Sequence, residues 1–336
     1  MQGTTIGLDV AKRVFQVHGV SAAGAVFCRR LGRAGVESFF AQLAPSVVGM
    51  EACASAHYWA RRLGALGHSV RLVPPRYVKA YVRRNKTDAA DAAAICEALG
   101  RRDMQFVPVK SEAQQAVLAL HRTRALLVRQ RTMTANALRG QLAEFGLVAA
   151  QGQAGLGQLL ALVDDPATAL PDEARAAFAV LAGQWRGLCA QIAALERRIV
   201  AWHRQDAASR RLATIPGIGP ITASALAASV GDARAFRTGR HFAAWLGLTP
   251  REWSSGMKRR QGKISKRGDG YLRRLLILGA HAVMRHHKRS AADWLTALRA
   301  RRPAAVAAVA LANKTARIAW AVMARGEVYR QPATAS

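Results

Sequence analysis

Acidic residues are scarce in this sequence. Its 336 residues include 50 Lys and Arg but only 20 Asp and Glu, a formal charge of +30. A GC-rich genome would account for the abundant Arg and Ala codons but not for so few acids. A field of this sign attracts polyanions, nucleic acid above all. Cysteine is also sparse: Cys28, Cys53, Cys96 and Cys189 stand far apart with no CxxC spacing. That argues against a zinc cluster or disulfide framework and leads us to expect a reducing, cytoplasmic setting. No uninterrupted apolar run reaches the ~18–20 residues of a membrane span. Asp9 and Lys12 interrupt the apolar core that a signal peptide would need, so neither leader nor membrane partner is expected. There is no GxxxxGK[ST] loop, no internal repeat and no low-complexity tract. What is present is enough apolar sequence, 51%, to build sizeable cores, and enough length for two domains with a connecting segment.

Against this shortage, the placing of the acids is informative. The first 110 positions hold seven acids among 16 Lys and Arg. Four of the seven are Asp9, Glu51, Asp88 and Asp91. Asp9 lies in an apolar strand pattern, where a charge is costly unless paired or metal-bound. Glu51 closes a second strand run, Val47 to Glu51. Asp88 and Asp91, in Lys86-Thr87-Asp88-Ala89-Ala90-Asp91, fall three apart at a helix start and so share a face. Hard oxygen ligands from a strand middle, a strand end and a helix start suit a paired Mg²⁺ site that clamps a phosphodiester, with Mn²⁺ as the alternative ion. Each acid alone has a plainer reading: Asp88 as a helix cap, Glu51 as a helix-entry residue, Asp9 as the opening strand of an actin-like ATPase. The ordered set favours the metal site.

Hydrophobic periodicity divides the chain into three. Residues 1–110 alternate as β-β-β-α-β-α-β-α, a layered α/β domain with a mixed sheet whose first three strands form an antiparallel meander; the third strand is expected over Ala25 to Arg29. Residues 111–205 carry two long helical patterns, Ala116 to Phe145 and Pro171 to Trp202, expected as an antiparallel, coiled-coil-like arm. Between them Gly146 to Leu170 reads as a loop or weak helical excursion. Residues 206–336 read as a mainly helical domain.

Within that last part, Ile215-Pro216-Gly217-Ile218-Gly219-Pro220 precedes a helical run. Gly217 and Gly219 there let backbone N–H groups approach phosphate, as in a helix-hairpin-helix; a tight helix–helix turn is the plainer reading. A basic segment follows, with 12 Lys and Arg and two acids over residues 251–290. It contains Ser254-Ser255-Gly256, then Lys258, Arg259, Arg260, Lys263, Lys266 and Arg267, read as a loop or short ribbon, with Arg273 in the next helix. A serine framed by cations could attack phosphorus, although by spacing alone it is more often a passive phosphate contact. His281, His286 and His287 read as surface or groove residues.

Taken in order, Gly-Leu-Asp9-Val-Ala-Lys12, Glu51-Ala-Cys and Lys86-Thr87-Asp88-Ala-Ala-Asp91 resemble the DEDD tetrad of IS110-family transposases. Ile215 to Gly219, Ala244 to Pro250, Ser255-Gly256 and Ile264 to Gly268 resemble the C-terminal domain of that family. Asn313-Lys314 and Ala316 to Trp320 resemble the terminal helix of its IS1111-like branch. The resemblance implies a RuvC-like domain of the RNase H fold whose Asp9, Glu51, Asp88 and Asp91 bind Mg²⁺. It also implies a nucleophilic serine, Ser255 by position with Ser254 as the fallback, that forms a phosphoserine link to DNA. Nucleic acid would be gripped by Lys12, Lys86, Gly217, Gly219 and the basic residues of the serine segment. The implied partners are donor and target DNA, a structured guide RNA encoded beside the gene, and further copies of the chain, a dimer assembling to a tetramer. The competing expectations are a metal-only RuvC-like endonuclease acting on branched DNA, and a catalytically decayed nucleic-acid-binding protein.

Overall fold

The computed structural model describes residues 3–78, 87–101, 104–256, 258–286 and 294–330. The chain divides into two units, Met1–Ala113 and Gln114–Ser336. The expected arm and C-terminal part both fall within the second.

The first unit is built on five strands, β1 (Thr5–Asp9), β2 (Val14–Val20), β3 (Val26–Gly32), β4 (Val47–Glu51) and β5 (Ser69–Val73), in the order β3-β2-β1-β4-β5. β1, β2 and β3 form the antiparallel meander, and β4 and β5 continue the sheet parallel to β1. β3 runs three residues past its expected end, because all seven residues of β2 pair with it, from Val20↔Val26 to Val14↔Gly32. Pairing of backbone groups outweighs the polar Arg29-Arg30 sequence at this sheet edge.

Strand alternation sends Ile6 and Leu8 to one face. There they are buried with Phe15, Val17, Val48 and Met50 under α1 (Val36–Ala41) and α2 (Ala56–Ala65). Burial of each such side chain stabilises the fold by about 1.5–3 kcal/mol. The opposite face carries Thr5, Gly7 and Asp9. After the short α3 (Pro75–Val78), α4 (Asp88–Leu99) lies on this second face, with Ile95, Ala98 and Leu99 packed on Val73 and Val78. A Cβ on Gly7 would fall 2.0 Å from the Ala92 carbonyl oxygen, and one on Gly49 would fall 2.7 Å from Leu99. Gly7 and Gly49 are register partners on β1 and β4. Together they make the flat patch on which the helix sits.

The second unit begins with the arm. Helices α5 (Glu112–Ala143) and α7 (Asp172–Gln205) run antiparallel: Val117 and Leu118 meet Trp202, Arg124 bonds Glu196, and Leu138 and Leu142 meet Phe178 and Ala182. The intervening segment is more than a weak excursion. It forms α6 (Gln153–Asp164), which buries Leu156, Leu159, Leu160 and Val163 against the tip of the arm. Two arginines hold its ends by donating to backbone carbonyls, Arg139 to Ala149, Ala150 and Gly152, and Arg175 to Val163, Asp165 and Thr168.

The remainder comprises α8 (Ala207–Leu212), α9 (Pro220–Val230), α10 (Gly239–Trp245), a two-stranded ribbon of β6 (Pro250–Ser255) and β7 (Lys258–Ile264), α11 (Gly270–His286), α12 (Trp294–Arg301) and α13 (Ala304–Arg325). α13 is long and apolar enough by composition to cross a membrane. Instead, its buried Ala307, Ala308, Ala312, Ala316 and Ala319 belong to the core that α9, α10 and α11 share. The Trp320 indole donates to the carbonyls of Ala233 and Phe236.

Candidate functional site

Three elements bring the four acids together. Asp9 ends β1, Glu51 ends the parallel neighbour β4, and Asp88 and Asp91 occupy the first turn of α4. Thr87 is the cap of α4, its hydroxyl accepting from the Ala90 N–H at 3.2 Å. Asp88 is therefore not used up in capping. α4 runs antiparallel to β1, since Ala92 sits over Gly7 while the Cys96 thiol donates to the Thr5 carbonyl at 3.5 Å. One helical turn before Ala92 is Asp88, and two residues after Gly7 is Asp9, so the geometry carries both toward the same end of the sheet.

Electrostatics report the gathering. Asp9 is half-buried and its pKa is raised from 3.8 to about 6. Burial is the main cause, followed by the negative charges of Asp91, Asp88 and Glu51. Burial also pushes the Cys53 thiol up, with Glu51 and Asp9 adding to the effect. Among the described residues, no three Asp, Glu, His or Cys side chains converge tightly enough to ligate one ion. The donor set nonetheless suits a hard divalent cation: four carboxylates, and at Asp9 a negative charge that the surrounding acids oppose.

Gln16 was not apparent from sequence as a site residue. It is the register partner of Asp9 on β2, and directly opposed residues share a sheet face. The antiparallel meander held this signal in its alternation of apolar Phe15 and Val17 around Gln16. Lys12 is exposed in the turn after β1. Lys86 and the side chain of Arg259 lie outside the described residues.

In the second unit, Gly217 and Gly219 differ. Gly217 (φ +84°) is pressed against α11, where a Cβ would meet the Gly279 carbonyl oxygen at 2.9 Å. Close packing of turn and helix thus accounts for that glycine. Gly219 is exposed at the cap of α9, with open space around its Cα.

Of the two forms expected for the serine segment, the structure has the ribbon, a β-hairpin. Ser255 pairs with Lys258, Ser254 with Arg259, Trp253 with Arg260 and Glu252 with Gln261, and Gly256 (φ +55°) begins the turn. The pairing separates the two serines. Ser254 shares a face with Glu252 and donates to its Oε1 at 3.1 Å, whereas Ser255 shares the other face with Lys258, Trp253 and Arg260. Lys258, Arg260, Lys263, Lys266 and Arg267 are exposed. Arg273 departs from the expected phosphate contact: it is half-buried and donates to the carbonyls of Leu246 at 2.9 Å and Arg267 at 3.4 Å. It ties α10 to the strand exit. Asn313 on α13 acts in the same way, donating to the Leu248 carbonyl at 3.1 Å just before β6.

Comparison with known proteins identifies the family. Residues 6–146 match a DEDD-type IS110 family model described as "Transposase", and residues 209–295 match the model described as "Transposase IS116/IS110/IS902 family". A "Probable family 20 transposase" of Pseudomonas aeruginosa is 55% identical over 98% of this chain and 99% of its own length. The transposase for insertion sequence element IS1328 of Yersinia enterocolitica is 40% identical over 97% of this chain and 98% of its own. The transposase for IS1111A of Coxiella burnetii is 40% identical over 97% and 91%. The chain belongs to the IS116/IS110/IS902 family of insertion-sequence transposases.

Proposed function

We propose that this transposase cuts and rejoins DNA through a covalent serine intermediate, with divalent metal held by Asp9, Glu51, Asp88 and Asp91, and with Ser255 as the nucleophile. The observation that carries the reading is the placing of Asp9 at the end of β1, half-buried and within the field of Asp91, Asp88 and Glu51: burial first and these three charges second raise its pKa to about 6 in an otherwise strongly basic chain. The strand order and the helix across β1 support a RuvC-like assignment, and α8, the Gly217 turn and α9 support a helix-hairpin-helix-like grip on backbone phosphate.

Bound Mg²⁺ or Mn²⁺ would supply charge neutralisation at the phosphate. The chain's own groups do the rest. Ser255 Oγ attacks phosphorus; the Oγ–P bond forms as the bond from phosphorus to one deoxyribose oxygen breaks. The serine proton passes to solvent, and the released oxygen gains one. Lys258 and Arg260, on the same hairpin face as Ser255, stabilise the developing charge. Rejoining is the reverse attack by a deoxyribose hydroxyl, which expels Oγ. The phosphodiester count is conserved, so no energy-rich cofactor is consumed. Sequence choice is left to base pairing with an element-encoded structured RNA. That adds a third polyanion to donor and target DNA, a load suited to +30. The half-sites come from different copies in a dimer that assembles to a tetramer.

Protein–DNA adducts trapped by denaturation test the nucleophile. Wild type and Ser254→Ala are expected to form them, and Ser255→Ala is not. Adducts persisting in both Ser255→Ala and the double alanine variant would overturn the covalent reading, and cut DNA without any adduct would favour a metal-only endonuclease. Asp9→Asn and Glu51→Gln should each abolish cleavage; full activity in either would remove the metal assignment.

A further inference from the structure

Trp253 is 56% exposed on the hairpin, and folding does not explain its position there. An indole left this open forgoes much of the stabilisation that a large apolar side chain gains by burial. Its underside is nevertheless built. The ring lies over Gly262 of β7, where any Cβ would be 2.3 Å from it. Glycine inside a strand weakens the strand, so here two concessions in stability produce one flat aromatic surface facing outward. The register puts that surface on the Ser255 face, two residues or about 7 Å along the strand, with Arg260 directly opposite and Lys258 opposite Ser255. Beside Gly262 opens a groove of about 1360 Å³ that reaches α13 and is rimmed by Arg240, Lys263, Lys314 and Arg317; no described residue lining it is acidic.

We propose that Trp253, seated on Gly262 and flanked by Lys258 and Arg260, is a stacking site for an unpaired nucleobase of the strand whose phosphate is presented to Ser255. The inference rests on the reading of Ser255 as nucleophile and adds a subsite to it. An aromatic face among cations is the arrangement that holds single-stranded nucleic acid, because every base has a π-face and every linkage a negative charge. A paired base within a duplex has both faces covered by its neighbours and cannot stack on the indole. The site therefore selects a strand that is locally melted beside the cleavage point.

The test uses the full chain carrying Ser255→Ala, so that binding is read without chemistry. The probe is a mixed-sequence single-stranded oligodeoxynucleotide containing 5-iododeoxyuridine, compared with the same strand in a duplex. Irradiation should attach the single strand at Trp253, as mapped on the tryptic peptide, and the duplex should not attach there. Trp253→Ala should weaken single-strand binding about tenfold, equivalent to about 1.4 kcal/mol, and leave duplex binding within about twofold. Trp253→Phe should recover most of the loss. Attachment only at other peptides, or equal weakening of both forms by Trp253→Ala, would overturn the proposal. Adduct trapping in wild type reports on Ser255 separately, so either reading can fail while the other stands.

Discussion

A methyl group placed on Gly7 of β1 would lie 2.0 Å from the carbonyl oxygen of Ala92 in α4, so strand and helix meet backbone to backbone. This contact sets how far along β1 the helix start can reach. Asp88 and Asp91 owe their position near Asp9 to a residue with no side chain, two places earlier in the strand.

Gly7→Ala should therefore inactivate the enzyme without touching an acid. Overpacking of this kind costs about 1–3 kcal/mol and can be relieved only by moving α4. The expected result is a lower melting temperature and loss of DNA cleavage, with binding to nonspecific DNA retained. Gly64→Ala, where a Cβ meets nothing within 4 Å, serves as the comparison and should leave both melting and cleavage near wild type.

Asp9→Asn should stabilise the metal-free protein. Burial and the surrounding acids raise Asp9 from 3.8 to about 6, so the folded state holds its proton more tightly than the unfolded chain. Its contribution is complete below about pH 4 and is lost as pH rises through 6. With chelator at pH 7, Asp9→Asn should exceed wild type by about 1 kcal/mol, a figure reduced for partial solvent screening. Millimolar Mg²⁺ should then raise the wild-type melting temperature more than that of the variant. Equal melting of the two at pH 7 in chelator would contradict the charge argument.

His121 is 1% exposed, with Nδ1 3.0 Å from the Tyr271 hydroxyl and Nε2 3.1 Å from Ser224 Oγ. Ser224 donates to the Pro220 carbonyl at 2.7 Å, so it accepts from Nε2–H, and Nδ1 accepts from the tyrosine. One neutral imidazole thus joins α5, α9 and α11. Burial, with Arg124 nearby, lowers its pKa from 6.5 to about 4. The stability it supports is complete above pH 6.5 and declines by about 3 kcal/mol as pH falls toward 4. Denaturant melts of His121→Phe across that range should show a flatter pH dependence.

Arg273→Lys should loosen the hairpin's attachment. Both bonds, to the Leu246 and Arg267 carbonyls, leave the one nitrogen Nη1, and the lysine ammonium, on a stem one bond shorter, falls short of that position. Loss of about 1–2 kcal/mol is expected, with adduct formation reduced more than DNA binding. A variant weakened only in DNA binding would show Arg273 to be a phosphate contact.

The match between expectation and structure varies with how local the information was. The meander, the mixed sheet, Glu51 at a strand end, Asp88 and Asp91 at a helix start, and the two arm helices all follow from periodicities of two and 3.6 within single segments; Asp9, expected in a strand middle, instead ends β1, where pairing with β2 stops at Gln16. Residues 146–170 gave only a weak helix signal because Gly152, Gly155 and Gly157 crowd the start of the segment. α6 forms because Leu156, Leu159, Leu160 and Val163 find a surface on the arm tip. The basic serine segment shows no alternation either, and cross-strand pairing with Pro250–Ser255 is what makes it a ribbon.

By itself the sequence determined the chain's charge, the residue types available for chemistry and the order in which they occur, since these are properties of composition and short-range spacing. Which groups face one another was decided only by the tertiary structure. Register put Gln16 beside Asp9 and separated Ser254 from Ser255. The bare backbone of Gly7 brought α4 close enough for three acids to act on a fourth. The first two need only a neighbouring strand to set the register of a local alternation, whereas the last joins Gly7 to Ala92, segments far apart in the chain, where no local pattern can report the contact.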